Sequence, residues 1–278
     1  MKNFNKVDSI KGFLDPDEGY CLYRTALEAS KIAPVMEIGS YCGKSSIYIG
    51  EACKKNKSLL FTVDHHTGSE ENQVGWEYHD KELFDNETGK INTLPEFRRN
   101  IRDFDLESYI IPIVSDSVLV AKYWSINLSM VFIDGGHSEK AAMNDFNCWN
   151  DKIMLNGFLA IHDVFPNPKD GGRPPYEIYL LAIKSGKLAY VGHNRRDGSG
   201  CDPIISILYI MNNLLKGNYH ILVNNTGGPA AGPITDANTD SFENAFRMHL
   251  VNNQILVQKV VDSMKAEGYG RIVNIIST

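Results

Sequence analysis

The sequence has no long apolar run and no paired cysteine motif. Its longest hydrophobic stretches, such as Ile204–Met211, are far shorter than the ~20 residues that a membrane-spanning helix needs. The start of the chain is too polar for a signal peptide. The five cysteines include no C-x-x-C pair, so neither a zinc site nor a disulfide framework is indicated. We therefore expect a cytoplasmic protein with reduced thiols.

A basic excess is also missing. The chain has 28 Lys and Arg against 34 Asp and Glu, and neither the part before residue 217 nor the part after it is basic. Nucleic-acid binders concentrate positive charge on one face, so we expect no nucleic acid and no membrane as partner. A small molecule is the expected partner, and the sequence leaves open whether the chain forms a homo-oligomer.

From about residue 22, helical and strand-like segments alternate, which is typical of an α/β protein with a largely parallel sheet. Five short apolar runs that end in a polar or acidic residue are predicted as parallel strands: Pro34–Ser40, Ser58–Asp64, Ile110–Ser115, Leu128–Asp134 and Gly157–Asp163. Two later strands, Leu188–His193 and Pro203–Ile210, are joined by a short Gly-rich turn. This turn predicts an antiparallel hairpin, because a parallel crossover needs about a dozen residues or more.

The segments between the predicted strands include helices and two unusual connections. The predicted helices are Lys44–Lys55, Leu94–Glu107, Val118–Trp124, Ser138–Met154 and Tyr176–Lys184. Thr67–Thr93 is acidic, polar and too long for an ordinary connection, so we predict that it forms a lid. Together with the Pro/Gly-rich loop Pro166–Pro175, it is expected to build the acceptor pocket.

Three common phosphate or nucleophile motifs are absent: G-x-x-x-x-G-K-[ST], G-x-G-x-x-G and G-x-S-x-G. Met36–Ser46 instead is a predicted strand ending in acid-x-Gly-x-x-x-Gly that leads into a helix. Gly39 and Gly43 permit a tight turn and close approach of a ligand, and the helix start offers unpaired N–H groups. The acidic Glu37 disfavours a pyrophosphate and suits a cation, such as the sulfonium of S-adenosylmethionine.

Asp64 ends the second predicted strand, about 20 residues on, where an acid can accept both hydroxyl protons of a ribose. At these residues the chain resembles the class I S-adenosylmethionine-dependent methyltransferases. It is most similar to small-molecule O-methyltransferases, whose fourth and fifth strands read like F-I-D-G-G-H at 132–137 and A-I-H-D-V at 160–164. The resemblance covers about residues 19–210. It implies a Rossmann-like, mostly parallel sheet and methyl transfer to a hydroxyl of a sugar or secondary metabolite.

The residues that the resemblance implies for cofactor binding lie at the ends of successive strands: Glu37, Gly39, Ser40 and Gly43 around the methionine moiety, Asp64 at the ribose, Asp116 and Ser117 at the adenine edge, and Asp134 below the sulfonium. Nearby, Asp145 is interpreted as a solvated or capping residue of the helix after the fourth strand. Phe146 and Trp149 are interpreted as core residues.

Methyl transfer is an in-line displacement, so the enzyme must position a deprotonated nucleophile, and a base near neutral pH helps. His137 and His162 each lie beside an aspartate at a strand end and are the predicted bases, with Asp163 as a further catalytic residue. In metal-dependent relatives, acids that correspond to Asp134 and Asp163 hold Mg²⁺. A metal remains an open alternative here, because Gly136 and His162 stand where oxygen ligands are common and Mg²⁺ prefers oxygen.

The last part of the chain, from about residue 217 to 278, resembles a different family, the short-chain dehydrogenases. H-I-L-V-N-N-T-G at 220–227 and G-R-I-V-N-I-I-S at 270–277 are similar to two strands of that family, with a helix predicted over about Asp240–Glu267 between them. The family's dinucleotide loop and Tyr-x-x-x-Lys are absent, and His249 replaces its helix asparagine.

We therefore predict a methyltransferase domain over 1–213 and a catalytically inert, truncated dehydrogenase-like segment over 217–278. Two alternatives stay open. The chain could be a non-catalytic binding module that retains the nucleotide fold, or an NAD(P)-dependent oxidoreductase if the tail is functional.

Overall fold

Alternating apolar segments form one central seven-stranded sheet. The structure, a computed structural model, describes residues 4–76, 78–165, 167, 172–184, 188–194, 205–210, 220–225, 250 and 252–275. These residues form eleven strands: β1 (Val35–Ile38), β2 (Leu60–Asp64), β3 (Phe84–Asp85), β4 (Lys90–Ile91), β5 (Ile110–Val114), β6 (Leu128–Ile133), β7 (Ile153–Ile161), β8 (Leu188–Asn194), β9 (Ile205–Ile210), β10 (Ile221–Asn225) and β11 (Arg271–Ile275).

The order of the central sheet is β5-β2-β1-β6-β7-β9-β8. The first five strands in this order are parallel, and β9 lies antiparallel between β7 and β8. The predicted parallel sheet with an antiparallel hairpin is therefore confirmed. The chain order reverses between β1 and β6, and ligands of open α/β sheets bind at the carboxyl ends of strands at such a switch point.

Seven helices are described: α1 (Pro16–Ala29), α2 (Lys44–Asn56), α3 (Leu94–Asp103), α4 (Ser117–Tyr123), α5 (Glu139–Trp149), α6 (Pro174–Lys184) and α7 (Asn252–Ala266). Helices α1 to α3 pack on one face of the sheet and α4 to α6 on the other. Successive residues of one strand enter different cores, as Val35 and Met36 do. Because helices cover both faces, the inner parallel strands are mostly apolar in the sequence, whereas the edge strand β5 is largely exposed.

The boundary between α5 and β7 differs from the prediction. The helix expected over Ser138–Met154 ends at Trp149, and after a 3-10 turn β7 begins at Ile153 rather than at Gly157. The pairing of β7 with β6 shifts register near Leu128, so the extra residues bulge out of the ladder. This bulge places Asn156 and Gly157 inside a strand, which is why the sequence pattern did not indicate it.

The segment Thr67–Thr93 carries a 3-10 turn over Glu70–Asn72 and the short antiparallel pair β3 and β4. It is tied to the amino-terminal part of the chain, because the Lys11 ammonium lies 2.5 Å from the Asp80 carboxylate and 2.7 Å from that of Glu82. Its role as a lid stays a prediction.

In the tail, β10 and β11 form a parallel pair. Helix α7 contacts β10 and also β8 of the central sheet. Residues 240–249 of the predicted tail helix, including His249, and the predicted domain boundary at 213–217 lie outside the described residues, so the boundary stays a prediction. No helix in the described parts of the chain combines the length and the apolar character needed to cross a bilayer.

Candidate cofactor and active site

The carboxyl ends of the central strands meet in one row. Backbone N–H groups that follow the strands continue the ladder, with Gly39 donating to the Val63 carbonyl, Asp134 to Ile38 and His162 to Ile133, at 3.0, 2.9 and 3.0 Å. The predicted residues at the ends of β1, β6 and β7 therefore lie side by side, although they come from distant parts of the sequence.

The glycine turn after β1 depends on two positive φ angles, +82° at Gly39 and +89° at Gly43. A Cβ atom at Gly39 would lie 2.2 Å from the carbonyl oxygen of Asp134, so a side chain there would displace the end of β6. Gly43 precedes α2 and supplies no side-chain cap, which leaves first-turn N–H groups of this helix to a ligand.

Glu37 lies beneath this turn and is fully buried. The Ser45 hydroxyl donates a 2.5 Å hydrogen bond to its Oε1, and the Ser46 hydroxyl donates to Oε2. Burial raises the pKa of Glu37 to about 8, although the two serine hydrogen bonds act in the opposite direction. Both carboxylate oxygens are therefore engaged from the start of α2, and Glu37 supports the turn from below. The sequence interpretation did not include the two serines.

Asp64 holds the turn from the side. Its Oδ2 accepts the backbone N–H groups of Ser40 and Tyr41, each at 2.8 Å, and its Oδ1 accepts the N–H of His66 at 2.7 Å. The end of β2 thus orders the loop that follows β1. The ribose contact expected of Asp64 stays a prediction.

At the end of β5, Asp116 caps α4 by accepting the Leu119 N–H at 2.9 Å. The Ser117 hydroxyl donates to Oδ1 of Asp145. Asp145 is only 6% exposed, and α5 is capped by the Ser138 side chain instead. The interpretation of Asp145 as solvated or capping was therefore wrong. Burial raises the pKa of Asp145 to about 6, against the effect of the Ser117 hydrogen bond.

His162 lies at the centre of a cluster of carboxylates and is 3% exposed. Its Nδ1 lies 3.0 Å from Oδ1 of Asp134 and 3.2 Å from Oδ2 of Asp163, yet it forms no aligned hydrogen bond with a described residue. Its Nε2 lies 3.3 Å from Oε2 of Glu18. Burial alone would lower the pKa of His162, but the negative charges of Asp134 and Asp163 raise it well above the ordinary value.

His137 extends the cluster toward the predicted lid. Its Nε2 lies 3.0 Å from Oδ2 of Asp163 and its Nδ1 lies 3.3 Å from Oε2 of Glu71. Burial would lower the pKa of His137, but contacts with these two carboxylates outweigh it and raise the pKa to about 10. Burial would raise the pKa of Asp163, yet His162 and His137 hold it below its usual range.

The carboxylates around both imidazoles therefore favour their protonated forms, although His162 Nδ1 and His137 Nε2 form no aligned hydrogen bond with a described residue. The predicted role of either histidine as a base requires that it first lose a carboxylate contact. That role stays a prediction.

Glu18 and Glu71 were missed by the sequence interpretation. Glu18 lies in the first turn of α1, where its Oε2 also accepts the Asp15 N–H at 3.0 Å as part of a capping box. Its Oε1 has no hydrogen-bond partner among the described residues, and burial raises its pKa. Helix α1 reaches this position because Gly19 lies flat against α2, where an added Cβ would lie 2.3 Å from the Tyr48 ring. The sequence pattern shows the capping box of α1, but it does not show that Glu18 also contacts His162.

Asp134, His162 and Asp163 each offer one ligand atom, and these atoms lie within 4.8 Å of one another. The unpartnered Nδ1 of the buried His162 points into this group. Two carboxylates and one imidazole are a donor set that fits a divalent cation. The two acids are those that the sequence predicted, and His162 joins them as a third donor.

The central sheet, mostly parallel with helices on both faces, is arranged as in Rossmann-like methyltransferases. Residues 36–164 match the family described as a methyltransferase domain, and residues 208–278 match the short chain dehydrogenase family. The chain therefore has a part that is similar to methyltransferase domains, followed by a shorter part that is similar to short-chain dehydrogenases. This match to the dehydrogenase family begins within β9 of the central sheet.

Solved structures with a similar fold include three O-methyltransferases or candidates for that activity. TomG from Streptomyces achromogenes, in complex with SAM, is 13% identical, with 71% of this chain and 81% of that chain covered and a TM-score of 0.50. The Bacillus cereus O-methyltransferase in complex with SAH is 14% identical, with coverage of 74% and 86% and a TM-score of 0.51. A candidate O-methyltransferase from Klebsiella pneumoniae is 9% identical, with coverage of 76% and 92% and a TM-score of 0.56. At these identities the likeness establishes the fold.

Proposed function

We propose that this chain transfers a methyl group from S-adenosylmethionine to a hydroxyl of a small molecule, such as a sugar or a secondary metabolite. The observation that carries the proposal is the side-by-side position of the glycine turn at 39–43 and the acids Asp64 and Asp134 at the switch point of the sheet. A turn without side chains admits the cofactor closely. Carboxylates beside it favour a sulfonium over a phosphate.

In this proposal the methionine part of the cofactor lies on the turn, near Gly39, Ser40 and Gly43. Glu37 stabilises the turn from beneath, and its serine contacts leave the N–H groups at the start of α2 free for the amino-acid tail. Asp134 lies below the sulfonium. The ribose then falls beside Asp64, and the adenine edge falls beside Asp116 and Ser117.

The acceptor hydroxyl would enter beside His137, the more exposed of the two histidines, with 31% of its side chain accessible. When the acceptor separates His137 from Glu71, the imidazole loses one of the two carboxylates that keep it protonated. Once the Nδ1 proton of His137 has passed to solvent, the neutral ring can take the acceptor proton at Nδ1, while Asp163 keeps the ring oriented through Nε2. Positioning of the hydroxyl in line with the methyl group supplies the rest of the rate enhancement.

We also propose that Asp134, His162 and Asp163 hold a divalent cation. His162 would bind it through Nδ1 in the neutral form, so cation binding would displace the proton from this nitrogen. When bound, the cation would supply a positive charge that favours the deprotonated form of the acceptor hydroxyl. Mg²⁺ prefers an all-oxygen set, so the imidazole favours Mn²⁺ or a similar ion with affinity for both nitrogen and oxygen. Glu18 orients His162 through Nε2, which leaves Nδ1 directed at the two acids.

Titration calorimetry with S-adenosylhomocysteine and, separately, with NADH tests the cofactor. We expect micromolar binding of the first and none of the second. Release of S-adenosylhomocysteine from S-adenosylmethionine in the presence of a panel of hydroxylated acceptors then separates an enzyme from a non-catalytic binding module. Failure to bind S-adenosylhomocysteine would overturn the proposal, and binding of NADH would favour the oxidoreductase alternative.

A further inference from the structure

A buried carboxylate on α5 has no part in the proposed reaction. Asp145 is 6% exposed and its Oδ1 accepts the hydroxyl proton of Ser117. Its Oδ2 lies against the loop after β6, because a Cβ added to Gly135 would be 2.7 Å from it. Asp145 therefore lies between Ser117, the first residue of α4, and the loop that follows β6.

The direction of the Ser117 hydrogen bond follows from the chemistry of its partner. An ionised carboxylate only accepts hydrogen bonds, so the serine must donate to it. A hydroxyl has one proton. When Ser117 uses that proton in its hydrogen bond to Asp145, its oxygen can only accept a hydrogen bond from any other group. Asp116 beside it is also an acceptor when ionised. This corner of the site thus presents acceptors and no side-chain donor from these three residues.

We propose that Asp145 determines the purine specificity of the cofactor site by setting the direction of the Ser117 hydroxyl. Adenine presents an exocyclic amino group, which donates, whereas hypoxanthine presents a carbonyl oxygen at the same position, which accepts. A Ser117 oxygen that only accepts pairs with the amino group and repels the carbonyl oxygen. This inference rests on the proposed function, which places the adenine edge at Ser117.

The test compares S-adenosylhomocysteine with S-inosylhomocysteine, which differ at this one group and its neighbouring ring nitrogen. Both are titrated by calorimetry at about pH 7.5, above the pKa of about 6 that burial gives Asp145. We expect the unaltered chain to prefer the adenine compound by about 10- to 100-fold, since a buried polar group left unpaired is costly.

In Asp145→Asn the amide N–H₂ can donate to Ser117, which frees the hydroxyl proton to turn toward the ligand. We expect the preference to fall about fivefold or more, mainly through tighter binding of the inosine compound. Ser117→Ala removes the acceptor itself and should lose the preference through weaker binding of the adenine compound. Asp151→Asn, an exposed carboxylate-to-amide change just after α5, is the control and should keep the full preference.

Each outcome decides one question. If the unaltered chain binds neither compound, the proposed function fails. If it binds both equally, or if folded Asp145→Asn keeps the full preference, the inference about Asp145 is wrong. Should Asp145→Asn not fold, Ser117→Ala decides, because an undiminished preference without the hydroxyl overturns the inference as well.

Discussion

The His162 imidazole lies 3.3 Å from the Glu18 carboxylate, although the two residues are 144 positions apart in the chain. This contact joins the first turn of α1 to the end of β7. It occupies one ring nitrogen of His162 and leaves the other facing Asp134 and Asp163. The helix that precedes the methyltransferase match at 36–164 thus contributes to the site.

Loss of this carboxylate should destabilise the fold. Glu18→Leu leaves a buried, protonated imidazole with one fewer partner, and we expect a loss of about 3 kcal/mol in the free energy of unfolding. Glu18→Gln keeps an oxygen acceptor and should cost about 1 kcal/mol. Urea denaturation measures both. Asp15→Ala, which removes the side chain that caps α1, is the control at about 1 kcal/mol. Equal effects of Leu and Gln at position 18 would contradict the role of the oxygen acceptor that faces His162.

Asp64 should be needed for cofactor binding. Asp64→Ala removes the acceptor expected for the ribose and also the contacts that order Ser40 and Tyr41. We expect S-adenosylhomocysteine binding to weaken by about 1.5–3 kcal/mol, as is typical for loss of a hydrogen bond to a charged group. Calorimetry on the folded variant measures this, with the exposed Asp103→Asn as control. Unchanged affinity in Asp64→Ala would refute the assignment.

Glu37 should make stability depend on pH. In the unfolded chain this carboxyl loses its proton near the ordinary value of 4.5, whereas burial keeps the proton in the fold up to about 8. Between these values the folded state binds more protons, so stability should fall as pH rises, by about 5 kcal/mol at most. Glu37→Gln should flatten that fall in urea denaturation at several pH values. An identical slope in the variant would show that Glu37 does not titrate this way.

The proposed cation site is tested without an acceptor. Mn²⁺ binding, measured by electron paramagnetic resonance, should weaken about tenfold or more in Asp134→Asn and Asp163→Asn, and stay unchanged in Asp151→Asn. Once an acceptor is known, EDTA should abolish turnover and Mn²⁺ or Mg²⁺ restore it. Full turnover in EDTA would instead assign the chemistry to His137 or His162 without a metal.

The tail should be dispensable for cofactor binding. Removal of residues 217–278 deletes none of the residues proposed to bind the cofactor, so the affinity for S-adenosylhomocysteine should stay within about twofold. Helix α7 contacts β8, however, and its Val260 is buried. Val260→Asp places a charge at this buried position, and a lower thermal unfolding midpoint would show that the packing of α7 contributes to stability. A truncated protein that is unfolded or cannot bind would show that the predicted domain boundary is misplaced.

The sequence by itself determined the central sheet and the glycine turn. Strands β1 and β6 are buried on both faces, so all their residues but Glu37 and Ser129 are apolar and the strands are easy to recognise. Gly39 adopts a φ of +82° next to a backbone carbonyl, a position that a residue with a side chain rarely tolerates. Local chemistry therefore required these features, and their order along the chain predicted the fold.

Only the tertiary structure decided which side chains complete the site. Glu18 caps α1 by a local rule, yet its contact with His162 depends on how closely α1 packs against α2. Asp145 lies on a helix that alone would turn a carboxylate toward water, yet α4 and the loop after β6 cover it. The amino-acid pattern of one segment indicates the periodicity and the caps of that segment. It does not record which distant segment will exclude water from a charged group, and that exclusion sets the burial and the pKa of these residues.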